Sequence, residues 1–188
     1  MSGMAITFTR MDESTAEQWA TIGMETAKNQ PRVAEQILSM LRSLEGITDG
    51  FAVDQLMHSL QTATRAEEAG ADQEVVVASL CHDIGKIISV FNHPAIAAEI
   101  LRPYVRPEVA EMIRIHQDFQ GRHYYHHFGG DTNAREKHRE NIDPETFALA
   151  ERFADEWDQT AFDPDYPTKP LEHFEPLVRE VFANPKSM

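Results

Sequence analysis

Residues 72–86 read DQEVVVASLCHDIGK, and the way this stretch folds decides the fold of the chain. Val75, Val76 and Val77 are β-branched and would suit a buried strand, but no second strand-like run exists elsewhere to pair with them. Asp72 stands where a helix wants its N-cap, so the apolar run through Cys81 is read as a buried helix. The same three- and four-residue spacing recurs on both sides. Upstream, Val53, Leu56, Met57, Leu60 and Ala63 form a stripe that stops at Gly70, while Val33, Ile37, Leu41 and Leu44 form another with Pro31 in its first turn. Ser14 and Glu17 predict a capping box ahead of a first helix that runs to about Ala27. Downstream, helices are predicted over 93–101, from Pro107 to about Asp118, from Asp143-Pro144 through Trp157, and over 171–183. The expected fold class is all-α.

A chain of 188 residues fits one domain. It is expected to divide into N-terminal helices over 1–50, a central core over 51–160, and a linker and helix over 161–188. The 31 acidic residues against 17 basic ones give a formal charge of −14, which repels nucleic acid and anionic lipid in the absence of a basic patch. Cys81 is the single cysteine, so no internal disulfide can form. With no secretory pattern at the N-terminus and no long apolar run, the expectation is a soluble cytoplasmic protein acting on a small molecule, without nucleic acid or membrane. Two segments break the helical pattern. Residues 120–141, rich in Gly, His, Tyr and Arg, are expected to form a long loop or lid, and residues 162–170, with three prolines, an ordered extended linker.

His82 and Asp83 follow the apolar run directly, and two such polar residues are costly to bury without a partner. A metal ion is such a partner. Further histidines stand in helical segments at His58, His93 and His116, and Asp158 ends a later one. Four imidazoles and two carboxylates suit one or two borderline divalent cations, with iron, manganese and zinc all permitted. Asp155 and Asp163 compete for the last position, and the Trp157-Asp158 context favours Asp158. His123, His126 and His127 crowd one loop beyond a set already supplied with six side chains and are left out of it.

The pattern of His58, His82-Asp83 and Asp158 resembles the HD-domain superfamily, helical bundles that bind metal at helix ends, and His93 and His116 resemble the additions of its two-metal branch. That resemblance implies one metal on His58, His82, Asp83 and Asp158, and a second on Asp83, His93 and His116, with Asp83 bridging. The branch contains HD-GYP phosphodiesterases and mixed-valent di-iron oxygenases, typified by myo-inositol oxygenase and phosphonate-cleaving oxygenases. The glycine-tyrosine-proline signature of the former is missing: Tyr166-Pro167 lacks the glycine and follows Asp158. His58-Ser59-Leu60-Gln61-Thr62-Ala63 with His82-Asp83-Ile84-Gly85-Lys86 is similar to the matching pieces of myo-inositol oxygenase, which implies that Lys86 contacts a substrate oxygen. The short Asp83 to His93 spacing is similar to the small phosphonate oxygenases, although Gln117-Asp118-Phe119-Gln120-Gly121-Arg122 replaces their basic-aromatic motif.

The resulting expectation is an O2-dependent di-iron oxygenase, mixed-valent Fe2+/Fe3+, acting on a small hydroxylated, anionic substrate. The alternative is a phosphohydrolase using Mn2+ or another divalent metal on a nucleotide or phosphomonoester. Lys86 is the expected catalytic and substrate-binding residue. Gln120, four residues after His116, is expected to aim its amide at the ligand, and Arg122 to bind an anionic group through its guanidinium. Tyr124, Tyr125 and Phe128 are read as loop-pinning aromatics, with an aromatic cage for a cation as the rarer alternative. Cys81 is expected to be a buried apolar residue.

Overall fold

The computed structural model describes residues 7–186, and every regular element among them is helical. Helix α1 covers Ala16–Ala27. Its capping box is built one residue later than the sequence predicts, because Thr15 Oγ1 accepts from the Gln18 amide and Gln18 Oε1 accepts from the Thr15 amide. Ser14 Oγ is engaged instead by the Trp19 indole N–H at 2.6 Å. Pro31 sits in a 3-10 turn over Gln30–Arg32 that leads into α2, Val33–Arg42. This helix buries Ala34, Ile37, Leu38 and Leu41 against α8, Leu171–Ala183.

The centre is made by α3, Gln55–Glu68, packed on α4, Gln73–Cys81. Asp54 caps α3 by accepting from the Met57 amide at 2.8 Å, and the chain leaves it at Gly70, whose φ of +76° suits a residue without Cβ. Asp72 caps α4 as expected, accepting from Glu74 and Val75. All residues from Val75 to Cys81 are buried, which explains why a helix can carry so many β-branched side chains: tertiary burial outweighs propensity. Two short 3-10 turns, Ile84–Ile87 and Val90–Asn92, lead into α5, His93–Leu101. Helix α6 spans Pro107–Tyr124 with Pro107 in its first turn and packs between α5 and α7, Pro144–Arg152.

Two expectations need correction. Helix α6 does not end near Asp118 but continues to Tyr124, and the segment expected as a structureless lid is largely helical, with 3-10 turns at Tyr125–Phe128 and Ala134–His138. The helix predicted through Trp157 changes to π register over Phe153–Asp158, marked by the Gln159 N–H bonding to the Ala154 carbonyl. Residues 162–170 are extended apart from one turn, as their prolines require. One apolar cluster runs from Ala34 to Phe182. Leu38, Leu80, Leu101, Ile113, Phe153 and Phe174 are fully buried in it, and truncating one such leucine to alanine costs about 2–5 kcal/mol. No helix among the described residues is long and apolar enough to cross a membrane.

Candidate metal centre

Five elements bring the six expected side chains to one buried point. His58 comes from the first turn of α3, His82 and Asp83 from the end of α4, His93 opens α5, His116 lies in α6, and Asp158 closes the π segment. None is more than 5% exposed. The π register matters here, because one wide turn re-aims the residues that follow it, and such turns recur at functional sites.

The second nitrogen of each imidazole is fixed by a main-chain carbonyl. Nδ1 of His58 meets Ala161 O at 3.0 Å, that of His82 meets Ser79 O at 2.8 Å, and those of His93 and His116 meet Val90 O and Ile113 O, both at 2.7 Å. A carbonyl only accepts, so each Nδ1 carries the proton and each Nε2 in the neutral ring is left with a lone pair. All four lone pairs point to one place. His58 Nε2 and His82 Nε2 are 3.1 Å apart, and Asp158 Oδ1 lies 3.2 Å from the first and 3.5 Å from the second. Asp83 turns Oδ2 toward His58 and His82, at 3.5 and 3.3 Å, and Oδ1 toward His93 and His116, at 3.0 and 3.7 Å. Its two oxygens therefore face two different histidine pairs.

This arrangement sets acceptors against acceptors. Asp83 Oδ1 and both carboxylate oxygens of Asp158 are buried without a hydrogen-bond donor, a costly state unless a cation lies among them. The donor set, imidazole nitrogen and carboxylate oxygen, is one that divalent transition metals take. Among the described residues, His58, His82 and Asp158 form one group able to hold an ion, and His82, Asp83 and His116 another. The two carboxylates also draw positive charge to this point, which a cation would supply in place of a second proton on His82. Burial resists charge on His82, yet Asp83 and Asp158 push its pKa up to about 10, whereas burial lowers that of His116. Asp83 and Asp158 are held well below the usual carboxylate range against their burial, chiefly by the charge of His82.

A cavity of about 680 Å³ opens onto this cluster at Asp83 and His93. Lys86 lines it, with Nζ 2.6 Å from Asp83 Oδ2 and 2.9 Å from Gln55 Oε1. Gln120 also lines it, joined by Gln117 and Gln159. Arg122 does not: its side chain is exposed on the far side of α6, so the structure does not bring it to the cavity. Tyr124 and Phe128 reach the cavity wall and Tyr125 does not; its ring fills the space beside Gly121. His123 and His127 line the wall, outside the cluster of six, and Asp155 is bound to Arg135 rather than to the centre. Asp163 instead engages Gln61 through its main chain. Cys81 is wholly buried, and burial pushes its thiol up to about 12.

Sequence reasoning missed several contributors. Gln55 is fully buried and steers Lys86. Phe162 stacks on His58 with ring centroids 4.2 Å apart, and Phe51 stacks on Phe162 at 4.6 Å. Gln117 could have been found, since Gln117, Gln120 and Tyr124 repeat at helical spacing after His116. Phe51 and Phe162 lie outside regular helices and carry no such signal.

The family model described as HD domain matches residues 56–163, more than half of the chain. A curated relative from Leisingera caerulea, 1-hydroxy-2-(trimethylamino)ethylphosphonate dioxygenase (glycine-betaine-forming), is 32% identical over 78 residues. That stretch covers 36% of this chain and 40% of the relative, so the similarity spans less than half of either protein.

Proposed function

We propose that this chain, which belongs to the HD domain family, is an O2-dependent di-iron oxygenase acting on a small hydroxylated, anionic substrate. The observation that carries this reading is Asp83, whose two oxygens face two separate histidine pairs, the arrangement that a carboxylate shared by two cations needs. The first iron would be held by His58, His82, Asp83 and Asp158, and the second by Asp83, His93 and His116. The similar protein from Leisingera caerulea is a dioxygenase of a hydroxylated phosphonate by its name, and this supports oxygenation over hydrolysis.

When bound, the two irons supply Lewis acidity and one-electron chemistry toward O2. The chain's own residues bind and orient the substrate. Lys86 has three N–H donors and spends two on Asp83 and Gln55, which leaves the third for a substrate oxygen in the cavity it lines. Gln120 and Gln117, one helical turn apart, offer amides to hydroxyl groups on the same wall. Phe51, Phe162, Tyr124 and Phe128 surround this polar strip with apolar surface, so a bound ligand displaces water and its hydrogen bonds are made in a drier medium.

The test is metal analysis of anaerobically prepared protein, followed by EPR and Mössbauer spectroscopy. Two irons per chain with a half-integer-spin mixed-valent signal, and O2 uptake on addition of 1-hydroxyalkylphosphonates, are expected. Manganese in place of iron, with hydrolysis of phosphomonoesters and no O2 uptake, would transfer the assignment to a phosphohydrolase.

A further inference from the structure

The cavity has a second built feature that owes nothing to the metal ligands. Arg135 is only 2% exposed. Its guanidinium grips Asp155 with two N–H groups, at 2.9 and 2.7 Å, and donates to the Phe119 carbonyl at 2.6 Å. Asp155 in turn accepts from His123 Nε2 at 2.8 Å, and His123 lines the cavity. A buried arginine thus fixes a carboxylate, the carboxylate fixes an imidazole, and the imidazole faces the substrate space. With Nε2 donating to Asp155, Nδ1 is the ring nitrogen left for a ligand.

We propose that His123, backed by Asp155 and Arg135 and joined by His127, is the subsite for the anionic head group of the substrate, a phosphonate or phosphate oxygen. This assignment rests on the reading of the cavity as the place where an anionic substrate meets the metals, and it replaces the role expected of Arg122. The charge inventory supports it. Among the described residues Lys86 is the one lysine or arginine of the cavity lining, and two of its three donors are engaged with Asp83 and Gln55, so an anion with several oxygens needs a second partner beside Lys86, and an imidazole is the group placed to supply it. His127 stands four residues after His123 and lines the same wall. An imidazolium at His123 would donate Nδ1–H to the anion while Asp155 balances its charge, a charge-assisted pair on both sides of one ring.

Several charged groups surround this ring. Asp155 faces it from the π segment, with Arg135 and Glu151 behind. On its own helix Asp118 is taken by Lys137 and His138, and Tyr124 and His127 follow it. Lys86, Asp83, His93 and Asp49 complete the ionisable lining. The proton balance is simple. Where Nδ1 carries no proton, a dianionic phosphonate binding there draws one from solvent onto Nδ1, and no other bond changes.

Methylphosphonate, which has no hydroxyl, is the probe. Its binding to metal-loaded protein is measured at pH 8 by titration calorimetry in buffers of different protonation heat, which counts protons taken up. The expected result for the wild type is binding with net proton uptake. His123→Gln should weaken binding roughly tenfold to a hundredfold, the loss of one charge-assisted hydrogen bond, and remove the uptake, with metal content unchanged. Should that variant fail to fold, His123→Asn replaces it. Unchanged affinity and uptake in the folded variant overturn the proposal, as does failure of the wild type to bind methylphosphonate at millimolar concentration. Binding that depends on His123 without O2 uptake on any hydroxyalkylphosphonate would keep the subsite and remove the oxygenase reading. O2 uptake insensitive to His123 would do the reverse.

Discussion

Gly85 is needed for room rather than for an unusual backbone angle, and this makes it a sharp probe of the two-metal arrangement. A Cβ added there would lie 2.8 Å from the His93 Cα and closer still to the His93 carbonyl oxygen. Both are backbone atoms at the start of α5 and cannot rotate away. Ordinary contact begins near 3.4 Å, so Gly85→Ala must push the start of α5 away by about 0.5–1 Å, in the range where overpacking costs about 1–3 kcal/mol. Metal–ligand distances tolerate only about ±0.2 Å. His93 Nε2 would therefore move out of reach of an ion held by Asp83 and His116, while His58, His82 and Asp158 stay in place on α3, α4 and the π segment. Affinity for the second metal should fall about 10–100-fold, as for other changes that disturb the support of a ligand, and the first metal should remain. For a chain of this size the strain corresponds to roughly 2–12 °C in Tm. Metal per chain by elemental analysis under graded chelator, together with thermal unfolding, reads both effects, and His93→Ala gives the reference for a lost ligand without strain. Two metals retained at wild-type affinity, or equal loss of both, would refute the partition of ligands.

Asp83→Ala should abolish binding of both metals, because each loses a ligand at once; two metals per chain at unchanged affinity would reject the bridge. Lys86→Met should keep the metals and weaken an anionic ligand by about 1.5–3 kcal/mol, whereas Arg122→Met, at an exposed position outside the cavity, should change neither ligand affinity nor metal content, as calorimetry would show. Asp72 has its pKa lowered, first by its hydrogen bond to Arg106 and further by the α4 amides that it caps. A depressed carboxylate contributes stability that is complete above its unfolded pKa of about 3.9 and is lost as pH falls through the lower folded value. Asp72→Ala should thus cost roughly 1 kcal/mol at pH 7, and denaturant titrations should find the difference shrinking below about pH 4; a difference that persists at pH 2 would show that the charge is not its source.

What could be read in the sequence depended on how much a mistake would cost in free energy. An apolar stripe on a helix has one place to go, so α2 and α3 follow from spacing alone, whereas α4, buried on every side, is legible as a helix only from the Asp72 cap and the lack of a partner strand. Buried histidines and aspartates without partners are equally expensive, and this is why His58, His82, Asp83, His93, His116 and Asp158 stand out together. The continuation of α6 past Asp118 was hidden for the opposite reason. Gln117, Gln120 and His123 are polar because they line a cavity, so the stripe weakens where the helix matters most, although Phe119 and Gly121 keep its core face buried. The capping box slipped by one residue because Glu17 and Gln18 offer equivalent acceptors to Ser14 and Thr15. Nothing in residues 153–158 distinguishes π from α register. That choice is made by the tertiary fit of Phe153, Ala154 and Trp157 in the core, and its outcome is the placement of Asp158 beside His58 and His82. The tautomers belong to the same class of fact. They are set by the carbonyls of Ser79, Val90, Ile113 and Ala161, and a backbone carbonyl has no letter in the sequence, so the ligand types were legible and the direction of their lone pairs was not.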